Sequence, residues 1–277
     1  MANAIALGTF DGVHKGHRAV LDLPEDFRKI AVTFSLPPKA VLTGKNALIT
    51  SNEDKCRILK SIGIDEILTL RFESVREMSP EEFLGFLKEK YDPKYISCGF
   101  NYRFGKMGQG DTSLLKKFCA DNGIELKIAE PVKVGDDIVS STFIRNLLSN
   151  GDVGTASSLL SEPFSFTAAV IEGDKRGRTI GFPTINQRYP EELVKLRFGV
   201  YKTKIEIDNN VFYGITDIGI RPTYKSDYVI SETFIKDFSG DLYGKTLRII
   251  PIEFLRDEKK FSSLEELKKQ IEFDINA

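Results

Sequence analysis

The hydrophobic periodicity of this chain changes once, near Pro163, and no single sheet or bundle accommodates both halves. Before that point, short continuous apolar runs alternate with stretches of helical period. Ala4–Leu7, Ile30–Phe34, Glu66–Leu70, Tyr95–Cys98 and Leu126–Ile128 predict strands covered on both faces, as in a parallel sheet. The helices between them are punctuated. Ser79-Pro80-Glu81-Glu82 offers a capping serine, proline at the first helical position and glutamate three residues after the cap. Asp111 opens a helix carrying Leu114, Leu115 and Phe118, which Gly123 ends; Gly63 ends the helix of Cys56, Leu59 and Ile62. Two short helices are expected near 141–149 and 152–160. Repeated βα units imply an open parallel sheet with right-handed crossovers.

Beyond Pro163 the pattern has period two. Val200, Lys202, Lys204 and Glu206 alternate with Tyr201, Thr203, Ile205 and Ile207. Asn209-Asn210 predicts a turn into Val211–Ile215. Tyr228–Phe238, the turn Ser239-Gly240-Asp241 and Leu247–Phe254 read as a further hairpin. This half is expected to be a small antiparallel barrel, closed off by a helix capped at Ser263. The fold class is therefore α/β plus β, with domains at 1–160 and 161–277.

Composition narrows the partners. The 277 residues suffice for two domains, each able to bury its own core. The net charge of −1, with basic and acidic residues interspersed, shows no stripe for nucleic acid. Cys56, Cys98 and Cys119 form no CxxC pair and have no nearby histidine, which argues against zinc and for free thiols in a reducing cytoplasm. No apolar run reaches the roughly 20 residues that span a bilayer, and the N-terminus reads as no signal peptide. Small-molecule substrates and a monomer or weak homo-oligomer are expected.

Two segments carry chemistry in the first half. Gly8 to His17, including Phe10 and Asp11, follows the first strand and opens a helix, where unpaired backbone N–H groups favour anions. His14 and His17, the only histidines, lie three apart on that segment. Ser140 to Arg145 opens another helix, and the Ser141 and Thr142 hydroxyls with the Arg145 guanidinium can hold phosphate oxygens. The glycine-rich run Gly105–Gly110 reads as a loop, with closure over substrate the alternative.

In the second half, Gly173 to Asn186 is the strongest element. Gly173 and Gly181 let backbone approach phosphate, and Lys175, Arg176 and Arg178 add positive charge. Thr184 and Asn186 point to one side of a strand and offer two hard oxygens to Mg²⁺.

The patterns GxFDGxHxGH (from Gly8) and SSTxIR (from Ser140) resemble the HxGH nucleotidyltransferases, in the form of the FMN adenylyltransferase domain of prokaryotic bifunctional FAD synthetases. The pattern from Gly177-Arg178 to GFPTxN resembles the riboflavin kinase signature, joined by Phe198–Tyr201, Ile218–Thr223, Asp237–Gly244 and Leu255–Phe261. The resemblance runs through the whole chain. It implies a Rossmann-like nucleotidyltransferase sheet and a six-stranded kinase barrel. It also implies ATP-dependent phosphorylation of riboflavin to FMN, followed by AMP transfer from ATP to FMN that gives FAD and pyrophosphate. His14, His17 and Arg145 would then act on the ATP phosphates of the adenylyl step, with Gly8, Phe10, Asp11, Asn101, Ser141 and Thr142 in the same nucleotide site. In the kinase, ATP would meet Gly173, Lys175, Arg178, Gly181, Thr184 and Asn186, and Glu232 stands at the family's base position. Arg256 has two open roles, orienting flavin or phosphate and forming a salt bridge. Asn101 replaces the family's usual aspartate, and the loop Phe34–Pro38 lacks the histidine that many members carry. The alternatives are a kinase with an impaired or inactive adenylyltransferase, and a non-catalytic flavin sensor.

Overall fold

The structure, a computed structural model, describes residues 1–37, 41–42, 47–173, 181–208, 210–221 and 228–276. It comprises two compact units, Met1–Ile144 with Leu159–Glu162, and Arg145–Ser158 with Pro163–Ala277.

The first unit is built on five parallel strands: β1 (Asn3–Leu7), β2 (Arg28–Phe34), β3 (Glu66–Leu70), β4 (Pro93–Gly99) and β5 (Glu125–Ala129). Their order is β3-β2-β1-β4-β5. Chain order thus reverses between β1 and β4, and the crevice at such a switch point is where open α/β sheets bind ligands. Two separate cores explain the continuous apolar runs. One packs α1 (Lys15–Leu21) and α2 (Asn52–Ser61) against one face of the sheet, through Val20, Ile58 and Leu59. The other packs the helix Pro80–Tyr91 and the helix Thr112–Asp121 against the opposite face, through Leu84, Leu87 and Leu115. The expected caps are in place. Ser79 and Glu82 form a reciprocal capping box, and Asp111 accepts from the backbone N–H of Ser113 and Leu114. Gly63 and Gly123 take φ of 92° and 63°, past the ends of their helices, where a side chain is strained.

A short antiparallel pair, β6 (Lys133–Val134) and β7 (Asp137–Ile138), follows the sheet; in the second unit, β8 (Phe166–Ile171), β9 (Thr184–Arg188), β10 (Gly199–Ile207), β11 (Asn210–Arg221), β12 (Tyr228–Ile235) and β13 (Thr246–Arg256) close into an antiparallel barrel, in the order β10-β11-β12-β9-β8-β13. The expected hairpin between Tyr228–Phe238 and Leu247–Phe254 is not formed. Instead β12 pairs with β11 and β9, and β13 pairs with β10 and β8. Closure is the reason. Both edges of β12 are taken, so the chain must cross the barrel end through 236–245 before β13 can pair. The expected turn at Asn209-Asn210 falls partly outside the described residues, because Asn209 is not among them.

The two sides of the barrel strands differ. The inward side holds Thr203, Thr216 and Thr233, fully buried, with their hydroxyls linked at 2.9 Å and 2.9 Å. Each hydroxyl satisfies its neighbour where water is absent. The outward side carries Ile215, Asp217, Glu232 and Phe234, and the C-terminal helix Leu264–Asn276 covers it with Leu264, Leu267 and Ile271. Arg256 ties β13 to this helix through the buried carboxylate of Asp274, at 2.8 Å.

In the first unit a buried cation braces the strand ends. Lys55 is 3% exposed, and its ammonium donates to the Phe34 carbonyl at 2.6 Å. Burial pushes its pKa down, and the nearby Asp11 carboxylate opposes that shift. Replacing Lys55 by Met leaves the carbonyl without its donor and Asp11 without its countercharge. Denaturant melts should show a loss of about 3 kcal/mol, against less than about 0.5 kcal/mol for the exposed Lys60→Met.

Candidate active sites

The first site is a cleft of about 340 Å³ at the C-terminal ends of β1, β4 and β5. Its floor is the segment after β1, and the backbone there is contorted. Phe10 and Val13 take φ of 49° and 39°, the left-handed region that non-glycine residues avoid. Val13 is β-branched, so this conformation persists only because the surroundings fix it, as is common at functional sites. Thr33 donates to the Thr9 carbonyl at 2.8 Å, and Ser141 donates to the Asp11 carbonyl at 3.1 Å. His14 caps α1, its Nδ1 accepting from the His17 N–H at 3.2 Å. That bond fixes the tautomer of a neutral His14, leaving Nε2 as the N–H donor. The two imidazoles stack at 3.6 Å, and Phe10 meets His17 edge-on at 5.4 Å. Gly16 permits this approach, since a Cβ there would come within 3.0 Å of the Val139 carbonyl.

Gly8, Phe10, His14, His17, Asn101 and Ser141 line this cleft together. Asp11 does not. It is 2% exposed and accepts from the N–H groups of Ile49 and Thr50 at 2.9 Å and 3.3 Å. It therefore shapes the loop from behind. Thr142 is exposed on the helix Ser141–Ser149, and Arg145 is half-buried one turn further along; neither is part of the cleft wall. Ser140 caps this helix, accepting from the Phe143 N–H at 3.2 Å.

The second site is a cavity of about 520 Å³ on the outward side of the barrel. Strand register creates it. Glu232 lies directly opposite Asn186 on β9 and directly opposite Asp217 on β11; Phe234 lies opposite Thr184. The row continues from Asp217 to Val200 and from Val200 to Arg256. Thr184, Asn186, Glu232 and Arg256 thus meet in one cavity. The Arg256 guanidinium is held by Asp274 and stands over the Phe261 ring at 5.7 Å. Gly173 lies against Asn186, and a Cβ there would meet the amide at 2.4 Å. Gly181 takes φ of 89°. Lys175, Arg176 and Arg178 lie outside the described residues.

Sequence reasoning missed Asp217, as well as the apolar wall supplied by the C-terminal helix. Asp217 is the one acid in the strand run GITDIGI, a signal that becomes readable only once the covered side of β11 is known. Burial is the main cause that pushes its carboxyl up to about 6. Glu258 adds to this, Arg256 opposes it, and Glu232 and Asp274 contribute less. A second cavity of about 410 Å³ adjoins the first and shares Thr184 with it; Pro183, Phe238, Asp241 and Leu242 contribute to its wall.

Known proteins match both units. Residues 1–143 match the FAD synthetase family model and residues 160–277 the riboflavin kinase model. Proteins described as bifunctional riboflavin kinase/FMN adenylyltransferase align over nearly the whole chain. The one from Listeria monocytogenes is 35% identical over 98% of this chain and 89% of its own length. Those from Bacillus subtilis and Escherichia coli K12 are each 32% identical, over 98% of this chain and 90% of theirs. A crystal structure described as a macrolide-efflux protein from Streptococcus pneumoniae has a TM-score of 0.91 at 29% identity, covering 99% of this chain and 92% of that one. Among the described residues, no helix is long and apolar enough to cross a membrane. With the two family models matched over residues 1–143 and 160–277 and relatives of the same two-part description aligned over nearly the whole chain, this chain belongs to the bifunctional riboflavin kinase/FMN adenylyltransferases.

Proposed function

We propose that residues 161–277 phosphorylate riboflavin at the barrel cavity and that residues 1–160 adenylylate the resulting FMN at the sheet cleft. The observation that carries the reading is the strand register that sets Glu232 beside Asn186 in a cavity they share with Thr184.

Riboflavin would occupy the larger barrel cavity, whose apolar wall of Val200, Ile215, Phe261 and the C-terminal helix suits a flat ring system. ATP would occupy the adjoining cavity, so the two substrates meet at Thr184. The 5′-hydroxyl of riboflavin is neutral at pH 7 and must lose its proton as phosphoryl transfer proceeds. Glu232 is the carboxylate placed to accept it. Asn186 is 5% exposed, and its Oδ1 has no hydrogen-bond partner among the described residues. A buried neutral oxygen of this kind beside the Thr184 hydroxyl fits Mg²⁺. Bound there with ATP, Mg²⁺ would neutralise phosphate charge.

The adenylyl step poses a different problem. The attacking FMN phosphate is already an anion, so the cleft has to align reactants and stabilise charge rather than remove a proton. His14 and His17, stacked over the contorted loop, supply N–H donors for the ATP phosphates. The three free cysteines support a cytoplasmic enzyme of small molecules.

Incubation with riboflavin, ATP and Mg²⁺, followed by chromatography, should yield FMN and then FAD. FMN alone would remove the adenylyl half of the reading, and unchanged riboflavin would remove both. Glu232→Gln should lower the rate of FMN formation by about 10²- to 10⁴-fold while FAD still forms from supplied FMN. His17→Ala should do the reverse, slowing FAD formation by about 10²-fold or more with FMN formation intact.

A further inference from the structure

Asp217 has no part in the proton transfer proposed above, yet it occupies the middle of the same row. Its neighbours across the strands are Glu232 on one side and Val200 on the other. Its Oδ1 is buried and has no hydrogen-bond partner among the described residues. Asp217 is nonetheless among the residues that line the cavity. The charges that act most on it are of its own sign, namely Glu258, Glu232 and Asp274, with Arg256 opposing them; Arg221 and Lys259 also line the cavity. Arg256 is already engaged by Asp274 through three hydrogen bonds, at 2.8 Å, 3.0 Å and 3.2 Å. Holding an acceptor out of water without a donor is costly, by about 1–3 kcal/mol and more for a charged group. An acid kept in such a place inside a ligand cavity is explained if the ligand brings the donor.

Geometry says which part of the ligand that is. The row has a polar end at Asn186 and Glu232, an apolar step at Val200 with Ile215, Phe261 and Leu267 in the same cavity wall, and Arg256 beyond it. A flavin that presents its terminal hydroxyl to Glu232 and rests its ring on the apolar stretch around Val200 must lay its polyol chain across Asp217. Directly opposed residues on neighbouring strands have Cβ atoms about 5 Å apart. That step is short enough for the carboxylate to meet a hydroxyl part-way along the chain.

We propose that Asp217 determines specificity for the polyol side chain of the flavin, its carboxylate accepting a hydrogen bond from one of the 2′-, 3′- or 4′-hydroxyls. The inference rests on the proposed kinase site, and the carboxylate acts on recognition rather than on the transferred group. A site built to hold a hydroxyl rejects an analogue lacking it far more strongly than an apolar pocket rejects a missing methylene.

The test compares riboflavin with its 2′-, 3′- and 4′-deoxy analogues, each of which keeps the 5′-hydroxyl, as substrates of the full-length protein. For the wild type, kcat/KM should fall about 10- to 100-fold for one of the three, the size of a lost hydrogen bond to a charged group. Asp217→Ala should lose the same factor with riboflavin and treat riboflavin and that one analogue alike. Asp217→Asn, which keeps an acceptor of the same shape, should fall between them. Equal turnover of all three analogues by the wild type overturns the proposal without any variant, and so does an Asp217→Ala protein that still discriminates. A purely structural role would lower every substrate's rate together and leave the ratios unmoved. Failure of the kinase reading itself looks different: Glu232→Gln would then phosphorylate riboflavin at the wild-type rate, whatever the analogue ratios show.

Discussion

The register between β9, β12 and β11 is the constraint on which the second site depends. It sets Asn186, Glu232 and Asp217 in one transverse line on the outward side of the barrel. Like charges directly opposite one another destabilise a sheet, so two acids in this arrangement are a cost that packing alone does not explain. A slip of one residue would turn all three side chains into the core, where Thr216, Thr233 and Gln187 now sit fully buried. The linked threonine hydroxyls resist that slip, because each has a partner only in the observed register. The polar core and the polar site are therefore two faces of the same pairing. The Arg256–Asp274 pair extends the constraint to the C-terminal helix, since removing either member would strand a buried charge.

The first site is held by different means. Its strand ends come from the switch point of the sheet, but the loop beyond β1 is fixed by bonds from the rear. Asp11 holds the backbone at Ile49 and Thr50, Lys55 holds the end of β2 at Phe34, and Ser141 and Thr33 hold the loop carbonyls. This bracing is what allows Phe10 and Val13 to keep left-handed backbone, and it sets both histidines, His14 itself only 5% exposed, among the residues that line the cleft.

Much of this was legible in the sequence, and the lapses have physical reasons. The caps at Ser79 and Asp111 and the five parallel strands follow from local signals, because capping and apolar runs are properties of neighbouring residues. The hairpin expected between β12 and β13 failed because pairing is a long-range property. Turn residues at Ser239-Gly240-Asp241 mark a reversal of the chain but do not say which strand lies alongside after it. Thr184 and Asn186 were readable as a pair from their spacing of two, and Glu232 through the family resemblance, whereas Asp217 was not. Its significance comes from a helix that closes over β11 from the far end of the sequence. Asp11 shows the opposite limit. It lies within a conspicuous motif, and its side chain points away from the cleft to support it.

The chemistry of the two proposed steps accounts for why one chain carries two such unlike pockets. A cleft meant for an anionic nucleophile and a triphosphate would be poisoned by a carboxylate pair, since like charges repel strongly where water is excluded. The first cleft presents imidazoles, hydroxyls and backbone, with Glu130 the one carboxylate among its described lining residues. A cavity meant for a neutral polyol alcohol has the reverse requirement, and acids there serve both to receive a proton and to hold hydroxyl donors. Under the proposed assignment, the product of the barrel cavity carries a phosphate that the sheet cleft must accept; Glu232 and Asp217 oppose that charge in the cavity wall, whereas Arg221, Arg256 and Lys259 of the same wall attract it.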